Sequence, residues 1–460
     1  MKKAFFMRSL GRMLMLAILF GACKDDSGDA VKTIASIDLT TEPTKTEYGI
    51  GEPLDLAGLV VTATYADGST GSVSINQNNT DWDAASTRTG PGSITITIGE
   101  QTTQFTVTIL TLAQRIDAIK GTAGEKTIYL YADETISTTQ SLTVDGLEVI
   151  LKTPEGSTAE RVIAGTAGQS IFSVGYNNNA SNNTVKLILD GYITLEGASE
   201  NPMPLVQVYY HGSALEMKGH SKIANNNYSD IESTNSSNGG GVYLNSNTAT
   251  GRVSLIMSDY AEISGNKLRK TSAALGGGVY ASYADITLKD NAKISNNSVK
   301  SSNNTVEGGG VYLVNSTITL KGGPGNAPAI SGNKIRSDSS AYGQYAVGGG
   351  VSVSTNSIFK MEGGVISNNT IDAPDLVAYS TGAGVNVTGD NGYGQLNGFL
   401  NFIKTGGVIY GDMDNAYFND GNENTIFGRS GKGHALFTRK PASKAYDDNL
   451  LDNAAGNISF

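Results

Sequence analysis

Cysteine is nearly absent. The 460 residues hold one, Cys23, so no internal disulfide can staple the fold. Tryptophan also occurs once, as Trp82, and histidine three times, as His211, His220 and His434. No two of the histidines stand at metal-ligand spacing, so no metal and no cofactor are expected. Charged residues are only 17% of the chain, and the formal net charge is −10. That balance, with no Lys/Arg cluster standing out beyond the N-terminal segment, argues against nucleic acid as a partner. The apolar run at residues 13–20 is too short to cross a bilayer as a helix.

Glycine and tyrosine are abundant, at 57 and 21 residues. The glycines recur at fixed places. Triplets begin at Gly239, Gly276, Gly308 and Gly348, each followed by a valine-led strand. A phosphate-cradling loop would need a helix directly after the glycines, so that reading is set aside. Each triplet opens a unit of three short strands, for example "GGGVYAS", "ADITLKD" and "AKISNN". Looser copies flank the four units and bring the total to about seven. Three short strands per unit with sharp turns predict a parallel β-solenoid over residues 126–430. In "ITLKD", Ile286 and Leu288 should point inward and Thr287 and Lys289 outward. Asn after "IS" suits a left-handed corner, and stacked Asn side chains can bond up the column. Tyr243, Tyr280 and Tyr312 recur after the glycines and should stack as a scaffold column.

Residues 34–110 alternate differently. Ile94, Ile96 and Ile98 interleave with Thr, "GEQT" turns the chain, and Phe105, Val107 and Ile109 alternate again. Such short strands between turns predict a small β-sandwich, with Trp82 in its core. Between this region and the repeats, Leu112, Ile116 and Ile119 share one helical face behind Thr111 as N-cap. Residues 111–125 are read as a helix capping the first coil, and residues 431–460 as a C-terminal cap.

Three resemblances sharpen these readings. Lys2, Lys3, Arg8 and Arg12 precede the apolar run, and Phe20-Gly21-Ala22-Cys23 follows it. This resembles a bacterial lipoprotein signal peptide, which implies cleavage after residues 1–22 and acyl chains on Cys23. Residues 23–33 then form a tether, and its Lys24-Asp25-Asp26 resembles the signal that sends some Bacteroidota lipoproteins to the outer cell face. Outer-membrane, cell-surface anchoring by lipid is the expected localisation. Second, Tyr48, Gly51-Glu52, Leu54-Asp55, Gly58-Leu59-Val60-Val61, Tyr65 and Asp67-Gly68 resemble a bacterial Ig-like domain of group 3. Third, "GGGVY…ITL…ISNN" is similar to the glycine-rich repeats of right-handed parallel β-helices, pectate-lyase-like adhesins and polymorphic outer-membrane proteins among them. The expected class is all-β: an Ig-like β-sandwich, a short capping helix and a right-handed parallel β-helix.

The β-helix resemblance also admits a polysaccharide lyase or glycosidase. Glycoside hydrolysis needs two carboxylates across one bond. The strand-borne acids Asp190, Glu196, Asp259, Asp285, Asp290 and Glu362 are scattered instead, with Asp259 and Asp290 at matching places in successive units. A non-catalytic surface adhesin is the expected function, and a purely structural envelope protein is a further alternative. Between "ISNN" and the next glycines each unit carries a segment of variable length. These segments map to one edge and carry Tyr228, Tyr342, Tyr345 and Tyr379, the residues expected to contact a glycan or a host or matrix protein.

Overall fold

The structure is a computed structural model. It describes residues 32–175, 184–210, 212–230, 238–302, 304–338, 344–373, 380–387 and 402–410, then the strand segments 425–428, 431–432, 436–438, 449–451 and 458–459.

Two three-stranded sheets lie at the N-terminal side. One pairs Ile34–Thr41, Val60–Tyr65 and Thr70–Val73 antiparallel. The other orders Glu47–Gly49, Gln101–Leu110 and Gly90–Ile98. Trp82 is buried, as a lone Trp in a small core should be. Its ring meets Tyr48 edge-on at 4.8 Å, and its Nε1 donates to the Glu52 carbonyl at 2.9 Å.

Helix Leu112–Ile119 starts in a capping box, with Thr111 and Gln114 bonding each other's backbone N–H. Its buried Leu112 and Ile116 join the core that runs through the solenoid. The first coil answers from below. Glu134 accepts the Leu112 N–H and pairs with Arg115. Burial pushes the Glu134 carboxyl up despite the opposing pull of Arg115.

The described residues trace nine coils of the solenoid, two more than the repeats alone indicated. The three earliest carry no glycine triplet, which is why they are hard to read. Each coil supplies one strand to each of three parallel sheets. The first face begins at Gly124–Tyr129, the second at Glu134–Ile136 and the third at Gln140–Leu142. In Ala284–Lys289, Ile286 and Leu288 are buried, Thr287 is partly so and Lys289 is exposed, as alternation requires.

The corner after the second face uses two residues differently. The first of the pair, Asn225, Gly265, Asn296, Gly332 or Asn368, has φ between 55° and 68°. Only glycine and asparagine visit that region readily. The second residue is always Asn. Asn226, Asn266, Asn297, Asn333 and Asn369 are fully buried and stacked. The Nδ2 of Asn266, Asn297 and Asn333 donates to the next Oδ1 at 3.0, 3.1 and 3.0 Å, and also to an Ile carbonyl of the coil before. Each Oδ1 also takes the previous Asn N–H. Every rung therefore satisfies groups in three coils. Asn297→Ala is expected to destabilise by about 3 kcal/mol, because it strands buried donors on Asn266 that no water reaches. Chemical denaturation of the variant beside wild type checks this. An unchanged midpoint would mean the ladder contributes nothing.

The glycines answer to the ladder. In the triplet at Gly308, the first residue has φ +65°. A Cβ on Gly309 would sit 2.2 Å from the Gly349 carbonyl, and one on Gly310 would sit 2.9 Å from Asn333 Nδ2. One position needs the left-handed backbone, one the closeness of coils, and one the room for Asn.

The variable segments depart from expectation. They are strands for much of their length. Asn227–Asp230, Lys267–Lys270, Ser298–Ser301, Lys334–Ser337, Thr370–Ala373 and Thr425–Gly428 form a six-stranded parallel sheet. Five two-residue strands, from Ala274–Leu275 to Gly431–Lys432, form another. Leu268, Val299, Ile335 and Ile371 from the first meet Ala274, Val306 and Ala346 from the second in a core separate from the main one. Three strands per unit thus holds only for the early coils. The unequal lengths of these segments hide an apolar residue that recurs two places after every ladder Asn. At the far end two strands run backwards. Asn449–Leu451 pairs antiparallel with Leu436–Thr438, and Ile458–Ser459 with Phe402–Lys404.

Candidate recognition surface

The third face carries the tyrosine column that the repeat predicts. Parallel pairing sets Tyr243 against Tyr280 and Tyr280 against Tyr312. Their rings stack at 5.1 and 5.5 Å, nearly parallel, since strand spacing is close to ring spacing. Gln207 precedes Tyr243 in register, and the Tyr209 ring approaches Tyr243 from the side, tilted, at 5.9 Å. Burial pushes the phenols of Tyr243, Tyr280 and Tyr312 above their ordinary value. They are scaffold more than free contact surface.

Beyond Tyr312 the column turns polar. Ser352 and Asn386 follow in register, both fully buried. Beside them stand Glu307, Val347 and Thr381 from the two-residue strands, which with the six-stranded sheet and their separate core make up a lobe on the solenoid. Ser352 Oγ donates to Glu307 Oε2 at 2.8 Å, and Tyr345 also hydrogen-bonds that carboxyl. Desolvation raises Glu307 from 4.5 to about 7. Tyr345, 39% exposed, is pushed up to about 12, first by burial and then by Glu307. Thr381 Oγ1 donates to Asn386 Oδ1 at 2.8 Å, while Asn386 Nδ2 is buried without a partner among the described residues.

Of the four tyrosines expected on the variable edge, Tyr345 stands here, at the rim of this polar strip. Tyr228 lies within a strand and not a loop, paired with Leu268, because the chain after Asn226 follows the lobe sheet. Its side chain lies outside the described residues. So do Tyr342, Tyr379, His211, His434, the tripeptide Lys24-Asp25-Asp26 and Cys23.

The scattered acids have local partners. Asp190 accepts the Gly191 N–H at 2.7 Å and faces Lys152 and Lys218. Glu196 accepts from Asn225 at 3.0 Å. Asp259 accepts the Gly219 N–H at 2.9 Å, and Asp290 the Asp259 N–H at 3.2 Å, so the matched pair ties one corner to the next. Asp285 accepts from Nε and Nη2 of Arg252, each at 2.8 Å. Glu362 is exposed. Among the described residues no three His, Cys, Asp or Glu are grouped to hold a metal ion.

Sequence reasoning missed a second ring stack at that same corner. His220 lies between Tyr192 at 4.5 Å and Tyr260 at 4.7 Å, all nearly parallel. The three follow Gly191, Gly219 and Asp259, one per coil, and that offset was the available signal.

A family model, the bacterial Ig-like domain (group 3), matches residues 41–109. The chain thus carries an N-terminal Ig-like domain ahead of stacked parallel sheets. Comparison of the chain with curated proteins finds no match.

Proposed function

We propose that the chain is a cell-surface-anchored lipoprotein acting as a non-catalytic adhesin or recognition stalk. Lipid on Cys23 holds it to the outer membrane, the Ig-like domain spaces it from the surface, and the solenoid presents a ligand-binding edge. The Ig-like match supports a surface or extracellular setting. The observation that carries the reading is the lobe. Successive coils each spend extra strands, with their own apolar core, on one side of a solenoid whose main core is already closed. Rigid scaffolds that present an added face are built to bind. Glycan or a host or matrix protein is the expected partner class.

One observation favours a catalytic alternative. Glu307, with a carboxyl near neutrality, has the protonation behaviour of a general acid. Yet its bonded neighbours are the hydroxyls of Ser352 and Tyr345, and a glycosidase wants a second carboxylate.

The test uses cells expressing the full chain and its Cys23→Ser variant. Both are offered labelled polysaccharides and matrix proteins, with products followed in the same wells. Saturable binding by the wild type, no product, and loss of the protein from the membrane fraction in the variant are expected. Release of shortened or unsaturated sugars would replace the adhesin with an enzyme.

A further inference from the structure

The outward face of the six-stranded lobe sheet is basic. In "KLRK" and "KIRS" every second residue is a base, which reads as unremarkable along the chain. In-register stacking changes that. Lys267, Ser298, Lys334 and Thr370 form one outward column. Arg269, Lys300, Arg336 and Asp372 form the next. Strands lie about 4.8 Å apart, and alternate residues along a strand about 6.6 Å apart. Five cations therefore crowd one small face of a chain whose net charge is −10.

Acids answer only part of this charge. Asp338 meets Lys300 at 2.5 Å and Arg336 at 2.8 Å. Asp372 meets Arg336 at 2.9 Å and Lys334 at 3.6 Å. Lys267 and Arg269 are exposed and have no carboxylate partner among the described residues. Among the described residues three positive charges are left over. Like charges on adjacent strands work against the sheet, so the fold bears a cost here that packing does not require. An anionic ligand would remove it.

We infer that this face binds a linear acidic polysaccharide, one carrying carboxylate or sulfate groups along its chain. The inference rests on the adhesin reading and names its ligand class. Charge complementarity selects an anion. A repeating ligand matches a repeating face, and several weak exposed contacts add through multivalency. Between the bases stand the hydroxyls of Ser298 and Thr370, which suit sugar hydroxyls. Binders of single-stranded nucleic acid interleave aromatic platforms with their bases. From Lys267–Lys270 to Thr370–Ala373 the outward positions of these columns hold none, and the one aromatic in register with them, Phe427, follows Asp372 beyond the bases.

Full-length protein in detergent is passed over heparin, polygalacturonate, neutral dextran, a matrix protein and double-stranded DNA. Retention on the two acidic glycans alone is expected, and added salt should release it. The K267S/R269S double variant should bind about tenfold more weakly, a change of roughly 1.4 kcal/mol. The control K289S/K321S removes the same charge from adjacent exposed positions of the first face and should change affinity less than about twofold. Equal weakening in both variants would reduce the effect to bulk charge and overturn the site. Equal retention on DNA would overturn the glycan assignment. Binding only to dextran or the matrix protein would sink this inference and leave the adhesin standing, whereas retention on nothing would sink both.

Discussion

Gly309→Ala is expected to cost about 3 kcal/mol or more and to open the solenoid at the coil that carries it. The added methyl would lie 2.2 Å from the Gly349 carbonyl and 3.1 Å from Lys334 backbone atoms. All of these are main chain, so no side chain can swing aside. The gap between coils is itself set by hydrogen bonds, among them Gly309 N–H to Gly348 at 3.0 Å and Gly310 N–H to Gly350 at 3.0 Å. Admitting the methyl means stretching those bonds. In a repeat array each unit speaks only to its neighbours, so the damage should be local. Ala383 occupies the equivalent place later on, but the coil that follows it lies outside the described residues at that point. Gly323→Ala is the control. It has no atom within 4 Å of the added methyl and an ordinary φ, so its effect should stay within about 0.5 kcal/mol. Calorimetry gives the midpoints, and limited proteolysis locates the opening. Identical behaviour of the two variants would remove the close-packing account of the glycine triplet.

The second large effect is a pH dependence that one substitution should erase. Folding raises Glu307 from 4.5 to about 7, so the folded chain holds that proton where the unfolded chain has released it. The contribution to stability is complete below about pH 4.5 and disappears as pH rises through 7. At 1.36 kcal/mol per unit this amounts to about 3 kcal/mol. Glu307→Gln keeps an acceptor for Ser352 Oγ but never ionises. The variant should match wild type near pH 4.5 and exceed it in stability at pH 8. The readout is the difference between the two melting curves at each pH, which cancels other titrating groups. Two curves that stay parallel from pH 4.5 to 8 would show that the carboxyl is not held protonated.

Much of this architecture was legible because a solenoid repeats its reasons. Valine after the glycines, alternation in "ITL" and Asn after "IS" each occur several times, so each could be read as a rule. The tyrosine column and the Asn ladder followed directly. What stayed hidden was information held between coils and not along them. Lys267 and Lys334 are far apart in sequence and share one outward column only through register. Glu307 looks like any exposed acid in "VEGGG" until Ser352 and Tyr345 of the following coil enclose it. The lobe was obscured by its segments' unequal lengths, although Leu268, Val299, Ile335 and Ile371 mark the same place in each. The expected contact residues fared unevenly for a related reason. Tyr345 closes a polar strip, whereas the strand that holds Tyr228 was mistaken for a loop because no short motif announces a lone lobe strand.

The two reversed strands at the far end have a consequence for how these molecules coexist. A column of parallel strands is a template that reads in one direction, and a second molecule could extend it end to end into a fibre. Asn449–Leu451 and Ile458–Ser459 interrupt that reading on two faces, because each offers an incoming coil the wrong polarity. Helix Leu112–Ile119 does the same work at the start, covering apolar residues that another copy would otherwise match. The solenoid's growth is thereby stopped within one chain, and copies at high concentration should stay separate.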